Sequence, residues 1–154
     1  MPENTEVAES AVLPRRRESW WRAHGAVLAV ISAGGAIGAL GRYGIGQWLP
    51  TRPGQFPWGT FLVNLSGCFL IGVLMVLITE VWSAHRLARP FLGVGILGGY
   101  TTFSTYTNEI RALLQPGTML VAAAYLLLSL AGAMVAVVCG VWLTRALAGR
   151  GERA

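Results

Sequence analysis

Charge is missing from four long stretches of this sequence, and that absence constrains the fold more than any motif does. Gly25 to Gly41, Phe56 to Thr79, Pro90 to Asn108 and Ala112 to Thr144 contain no acidic or basic side chain over 17, 24, 19 and 33 residues. A bilayer core of about 30 Å takes roughly 20 helical residues to cross. Hydrocarbon offers no water to backbone N–H and C=O groups, so the helix, which pairs them internally, is the expected form. The first run reaches this length once Arg42 and Tyr43 are drawn in, to about Trp48. Within the fourth, Gln115-Pro116-Gly117 reads as a turn. The pattern predicts an all-α membrane protein with helices near 25–48, 57–82, 90–113 and 118–144. Residues 1–24 read as a disordered basic N-terminal tail, 25–145 as one four-helix transmembrane unit and 146–154 as a C-terminal tail.

Composition agrees. Charged residues make up 12%, against about 25% in soluble domains. All twelve basic residues are Arg and all seven acids are Glu, for a net charge of +5. Such a balance could attract nucleic acid, but the arginines sit at the edges of the apolar runs, as in membrane proteins. Trp20, Trp21, Trp48, Trp58, Trp82 and Trp142 fall near the span ends, matching an interfacial aromatic belt. A water-soluble bundle is disfavoured because no helix has a wide polar face. With four spans, both termini and the basic turn at 83–89 share one side. That side holds Arg15, Arg16, Arg17, Arg22, Arg86, Arg89, Arg145, Arg150 and Arg153, whereas Arg42, Arg52 and Arg111 lie on the other. The bias predicts cytoplasmic termini in a cell membrane. The polar N-terminus lacks the short apolar core of a cleaved signal peptide. Cys68 and Cys139 lie in apolar runs without CxxC or Cys/His spacing, and read as small core residues.

Little here supports enzyme chemistry. His24 and His85 sit at membrane edges and no carboxylate pair lies at membrane depth, so a nucleophile has no base beside it. Gly93-x-Gly95-xx-Gly98 matches a dinucleotide fingerprint but lies in an apolar span without a βαβ pattern. The polar residues inside the spans are few. Thr60 and Asn64 are four apart and share a helix face, as do Tyr125 and Ser129. Helix–helix hydrogen bonding accounts for a lone Ser129. Asn64, an amide in mid-span, and the ionisable Arg42 and Glu109 point to function. The stretch GGYTTFSTYTNE, residues 98–109, is poor material for a continuous helix. A break at Gly98-Gly99 would free backbone carbonyls that must find protein, water or an ion. Carbonyls suit a hard monovalent cation, while the hydroxyls nearby, with the ring edges of Phe103 and Tyr106, suit an anion.

GGAIGALGRYGI in the first span, FPWGTFLVNLSGCFLIG in the second and GILGGYTTFSTYTNE in the third resemble the bacterial fluoride channels of the CrcB, or Fluc, family, with the motifs in order across nearly all of residues 30–145. The resemblance implies a fluoride-selective channel, built as an antiparallel dimer of four-helix subunits with a broken third helix. It exports fluoride passively through narrow pores at the subunit interface and relieves fluoride toxicity. It also implies a structural Na⁺ that is not transported, held by main-chain carbonyls, here those of Gly98 and Thr101. The anion path it implies uses Asn64 and two third-span phenylalanine positions, here Phe103 and Tyr106, the second a departure. Tyr125 and Ser129 match the polar track of the fourth helix, which stops at Ala133 in this chain. Thr60 and Glu109 are placed at the entrances, and Arg42 raises the potential of the vestibule.

Two further expectations follow. An antiparallel homodimer inserts in both directions most readily when arginine bias is small. The bias here allows the partner to be either a second copy or a homologous subunit of opposite topology. The alternative function, a four-helix multidrug/proton exporter, requires a carboxylate in the first span, where the only charge is Arg42.

Overall fold

The computed structural model describes residues 20–82 and 86–151, with side chains over 24–82 and 86–149. The expected tail before residue 20, the end of the chain after residue 151 and His85 of the basic turn lie outside these limits, as do the side chains of Trp20 and Trp21. The described residues are all helical or in turns. α1 is Trp20–Trp48. α2 is Trp58–Val76, prolonged by one wide turn, Leu77–Val81. α3 begins with wide turns over Pro90–Leu97 and tightens over Gly98–Tyr100. α4 is Ser104–Leu113 and α5 is Met119–Gly151. Three stretches are long and apolar enough to cross a membrane: His24–Trp48, Trp58–Val81 and Met119–Gly149.

Helix bounds differ from expectation at two places. α1 starts at Trp20 and α5 runs to Gly151, because the flanking arginines, alanines and leucines are good helix formers that charge alone does not stop. The third apolar run is divided: Thr101–Phe103 separates α3 from α4. The helix carries Gly98 and Gly99 before it stops. Pro90 opens α3, where its missing N–H costs nothing. Gly54 and Gly117, at φ 80° and 94°, turn the chain between helices in a region that other residues avoid.

α1 packs along α3, and α2 along α5, through glycines. A Cβ on Gly34 would stand 3.0 Å from the Gly95 Cα, and one on Gly38 would strike the Ile96 carbonyl and the Tyr100 amide. On the other pair, a Cβ on Gly72 would collide with the Val137 carbonyl, and one on Gly140 with that of Phe69. In lipid, where no hydrophobic effect drives helices together, such backbone contact supplies the dispersion energy. Polar side chains on these helices turn inward on their own backbone: Ser66 donates to the Leu62 carbonyl at 2.7 Å, Thr79 to Met75 at 2.7 Å and Thr144 to Gly140 at 2.7 Å. Outward positions carry bare apolar groups such as Leu40, Leu120, Leu127 and Val138. A small core of Leu113, Ala122 and Tyr125, with the rings of Phe56 and Phe61 against it, closes one end and seats α4 on α5.

Candidate functional site

The site is built around the gap between α3 and α4. Thr101 takes an extended conformation, φ −74° and ψ 160°, and the chain returns to helix at Ser104. A continuous helix would carry the Thr102 amide to the Gly98 carbonyl and the Thr105 amide to that of Thr101. Neither bond forms. The Thr102 N–H goes to Asn64 Oδ1 at 2.9 Å, and Asn64 Nδ2 donates to the Thr102 carbonyl at 2.9 Å. The Thr105 amide goes to Thr102 Oγ1 at 3.2 Å, capping α4. The Gly99 carbonyl, deprived of the Phe103 amide, receives Arg42 Nε at 3.2 Å. Among the described residues no other donor reaches the carbonyls of Gly98 and Thr101. Gly67 on α2 makes room for this turn, since a Cβ there would run into the Thr101 methyl.

Two cavities meet at the gap. One, of about 430 Å³, is bounded by Asn64, Gly98, Thr101, Phe103, Tyr106 and Ser129 among others. Its wall is largely apolar, and Ser129 contributes a buried hydroxyl with no partner among the described residues. Phe103 is 77% exposed, so this cavity is open on one side. The other, of about 500 Å³, holds Arg42, Gln47, Thr60 and Glu109. Thr102 lines both. Behind the second cavity, both oxygens of Glu109 are engaged. Thr60 donates to Oε1 at 2.8 Å, and Tyr125, fully buried, donates to Oε2 at 2.7 Å.

Residues 29–141 match the sequence profile described as CrcB-like protein, Camphor Resistance (CrcB). The chain belongs to the CrcB family. Three relatives bear names of one kind. A Nocardia farcinica protein named fluoride-specific ion channel FluC 2 is 56% identical over 128 residues, 83% of this chain and 91% of its own length. A Streptomyces coelicolor protein, fluoride-specific ion channel FluC 1, is 49% identical over 88% of this chain and 86% of its own. One from Nitrobacter winogradskyi, fluoride-specific ion channel FluC, is 40% identical over 78% and 96%.

The part of the chain matching the CrcB family contains every candidate site residue named from the sequence, and the structure sorts them into groups. Gly98, Thr101, Asn64, Phe103, Tyr106 and Ser129 share the first cavity; Arg42, Thr60 and Glu109 share the second. Tyr125 lines neither. It stands behind Glu109, four residues from Ser129 but turned away into the core. The Phe103 and Tyr106 rings are neighbours, with centroids 6.1 Å apart. The Tyr106 hydroxyl is committed to the Leu126 carbonyl at 3.1 Å, so it is not a spare donor in the cavity. Sequence reasoning missed Thr102, which spends its amide, carbonyl and hydroxyl on holding the gap. It also missed Tyr100, whose hydroxyl lies 2.9 Å from Ser66 Oγ. Neither carries a signal beyond lying in the hydroxyl-rich stretch.

Proposed function

We propose that this CrcB-family chain is a subunit of a fluoride-selective channel, and not an enzyme, that lets fluoride leave the cell passively and so lowers its cytoplasmic concentration. Membership of a family whose relatives are named for fluoride conduction carries this reading, and the site's chemistry supports it. Fluoride holds its water strongly, so a path must replace that shell with donors. The first cavity offers the second hydrogen of Asn64 Nδ2, the unpartnered Ser129 hydroxyl and the positive edges of the Phe103 and Tyr106 rings. The second cavity offers Arg42 as a source of positive potential, while Thr60 and Tyr125 hold the Glu109 carboxylate to one side.

In this reading α3 and α4 are the halves of one broken span, giving four crossings with cytoplasmic termini in a cell membrane. The Gly98 and Thr101 carbonyls suit a structural Na⁺, as neutral oxygens freed from helical pairing. Such an ion supplies fixed positive charge beside the anion path. The open side of the first cavity, with Phe103 bare and Gly98 exposed, is closed by a second subunit in antiparallel orientation. That subunit is another copy, or a homologue of opposite arginine bias. An exporter reading lacks its carboxylate, because the described part of α1 carries no acid.

The deciding experiment is ion efflux from liposomes holding the purified protein. Rapid fluoride release with negligible chloride release is expected. Equal release of both ions defeats the selectivity claim. No release from the chain alone, nor with a co-expressed homologue of opposite bias, defeats the channel claim.

A further inference from the structure

Gly34, Gly38 and Arg42 follow one another at steps of four, on one face of α1. The two glycines bring α1 into backbone contact with α3 at Gly95, Ile96 and Tyr100. One turn later the same face presents Arg42 beside the final turn of α3. There Nε, the nitrogen inside the guanidinium, donates to the Gly99 carbonyl, and both partners are part-buried. The residue also lines the cavity that holds Thr60 and Glu109. A purely electrostatic role in that cavity needs only a positive charge. It does not require a bond from Nε to a main-chain oxygen on another helix.

We infer that Arg42 is a positioning residue for the gap: its Nε–H caps the Gly99 carbonyl and fixes the end of α3, so that the carbonyls of Gly98 and Thr101 are the ones left free. The consequence for a cation rests on the reading proposed above; the cap itself does not. An arginine serves because a part-buried carbonyl in a water-poor site needs a donor, and because a cation at a helix C-terminus also meets the negative end of the helix dipole. Removing the cap leaves three neighbouring carbonyls competing for whatever donor or ion arrives.

The two roles of the side chain are separable by covalent length. Glutamine places an N–H at the same number of bonds from Cα as arginine's Nε, without charge. Methionine places a methyl there. Lysine places a methylene there and keeps the charge one atom further out. The test uses the full-length protein in detergent at neutral pH, with Arg42→Gln, Arg42→Met and Arg42→Lys. Thermal stability is followed as Na⁺ replaces choline, and hydrogen exchange is measured over residues 98–105.

The cap predicts that Arg42→Gln keeps the sodium midpoint within about twofold of the parent. Arg42→Met and Arg42→Lys should each shift it by roughly tenfold, the scale of one lost hydrogen bond. Exchange at the Thr102 and Thr105 amides, which Asn64 Oδ1 and Thr102 Oγ1 hold, should stay slow in Arg42→Gln and quicken in the other two. Arg42→Lys matching the parent while Arg42→Gln falls in with Arg42→Met assigns the residue to charge alone and overturns the inference. If the parent itself shows no response to Na⁺, the cation reading fails by itself, and the exchange ranking decides the cap. If Arg42→Met does not fold, the ranking of Arg42→Gln against Arg42→Lys decides in the same way.

Discussion

Asn64→Asp changes one atom pair and asks the sharpest question of the gap. The asparagine side chain meets Thr102 as a backbone strand would: Oδ1 accepts its N–H and Nδ2 donates to its C=O, both at 2.9 Å. An aspartate retains the acceptor. At neutral pH it sets a second carboxylate oxygen against the Thr102 carbonyl, where a donor stood. One hydrogen bond is lost and one part-buried carbonyl goes unpaired, a cost of about 2–4 kcal/mol once the oxygen–oxygen repulsion is included. Asn64→Ala loses both bonds but sets no charge against the carbonyl, and should cost about 2–3 kcal/mol. Protonating the aspartate restores a donor to the Thr102 carbonyl, so the folded state favours the acid form and stability returns as pH falls. Thermal unfolding of the detergent-solubilised variants between pH 7.5 and pH 5 (assay conditions of roughly this span, set by the ordinary carboxylate range) should show Asn64→Asp gaining on the parent while Asn64→Ala does not. Fluoride efflux at neutral pH should be lost in both. An Asn64→Asp protein as stable as the parent at neutral pH, with unchanged efflux, would refute the two-handed role of this amide.

Three other outcomes are expected. Tyr106→Phe removes a hydroxyl bonded to the Leu126 carbonyl, an oxygen already inside a helix; fluoride efflux should stay within about twofold and stability fall by about 1 kcal/mol or less, and a large loss of efflux would return that hydroxyl to the anion path. Gly38→Ala drives a methyl into the Ile96 carbonyl and should cost about 1–3 kcal/mol, whereas Gly44→Ala, with open space around it, should be neutral or mildly stabilising by thermal unfolding. Thr60→Val and Tyr125→Phe both remove a donor to Glu109, so a double-mutant cycle should show about 0.5–3 kcal/mol of coupling; strict additivity would mean that the carboxylate does not join them.

The helices were legible because charge spacing in a membrane protein marks the ends of apolar runs, and the runs at Phe56 and Ala112 hold α2 and α5 as expected. Charge spacing is blind to what a helix does after its last apolar turn, so α5 continues past Thr144 through Arg145. Residue types gathered the polar group near Asn64, Thr101 and Phe103, since an amide and a run of hydroxyls beside two glycines at that depth are poor material for a continuous helix. Two things stayed hidden. The break falls at Thr101–Phe103, beyond the glycine pair, and Gly99 serves as a small helical residue: a Cβ there would meet the Gly35 backbone. Low helix propensity and close packing select the same residue, and the sequence does not tell them apart. Tyr125 and Ser129, four apart, share a helix face, and the resemblance to the family implies one polar track. Yet Tyr125 is large enough to reach across to Glu109, and once its hydroxyl is bound there its ring fills the core.

An interrupted helix in a water-poor setting has to pair every polar group that the interruption exposes. Here three side chains meet that demand: Asn64 from α2 for both groups of Thr102, Arg42 from α1 for the Gly99 carbonyl, and Thr102 itself for an amide in the first turn of α4. Repair on that scale makes the two remaining carbonyls informative. Two hydroxyls of the gap are turned elsewhere. Ser104 Oγ lies 3.4 Å from Thr102 Oγ1, and Thr101 Oγ1 donates back to the Leu97 carbonyl at 2.9 Å. The gap therefore combines completed pairing at Gly99, Thr102 and Thr105 with the Gly98 and Thr101 carbonyls and the Phe103 amide, which no described group pairs.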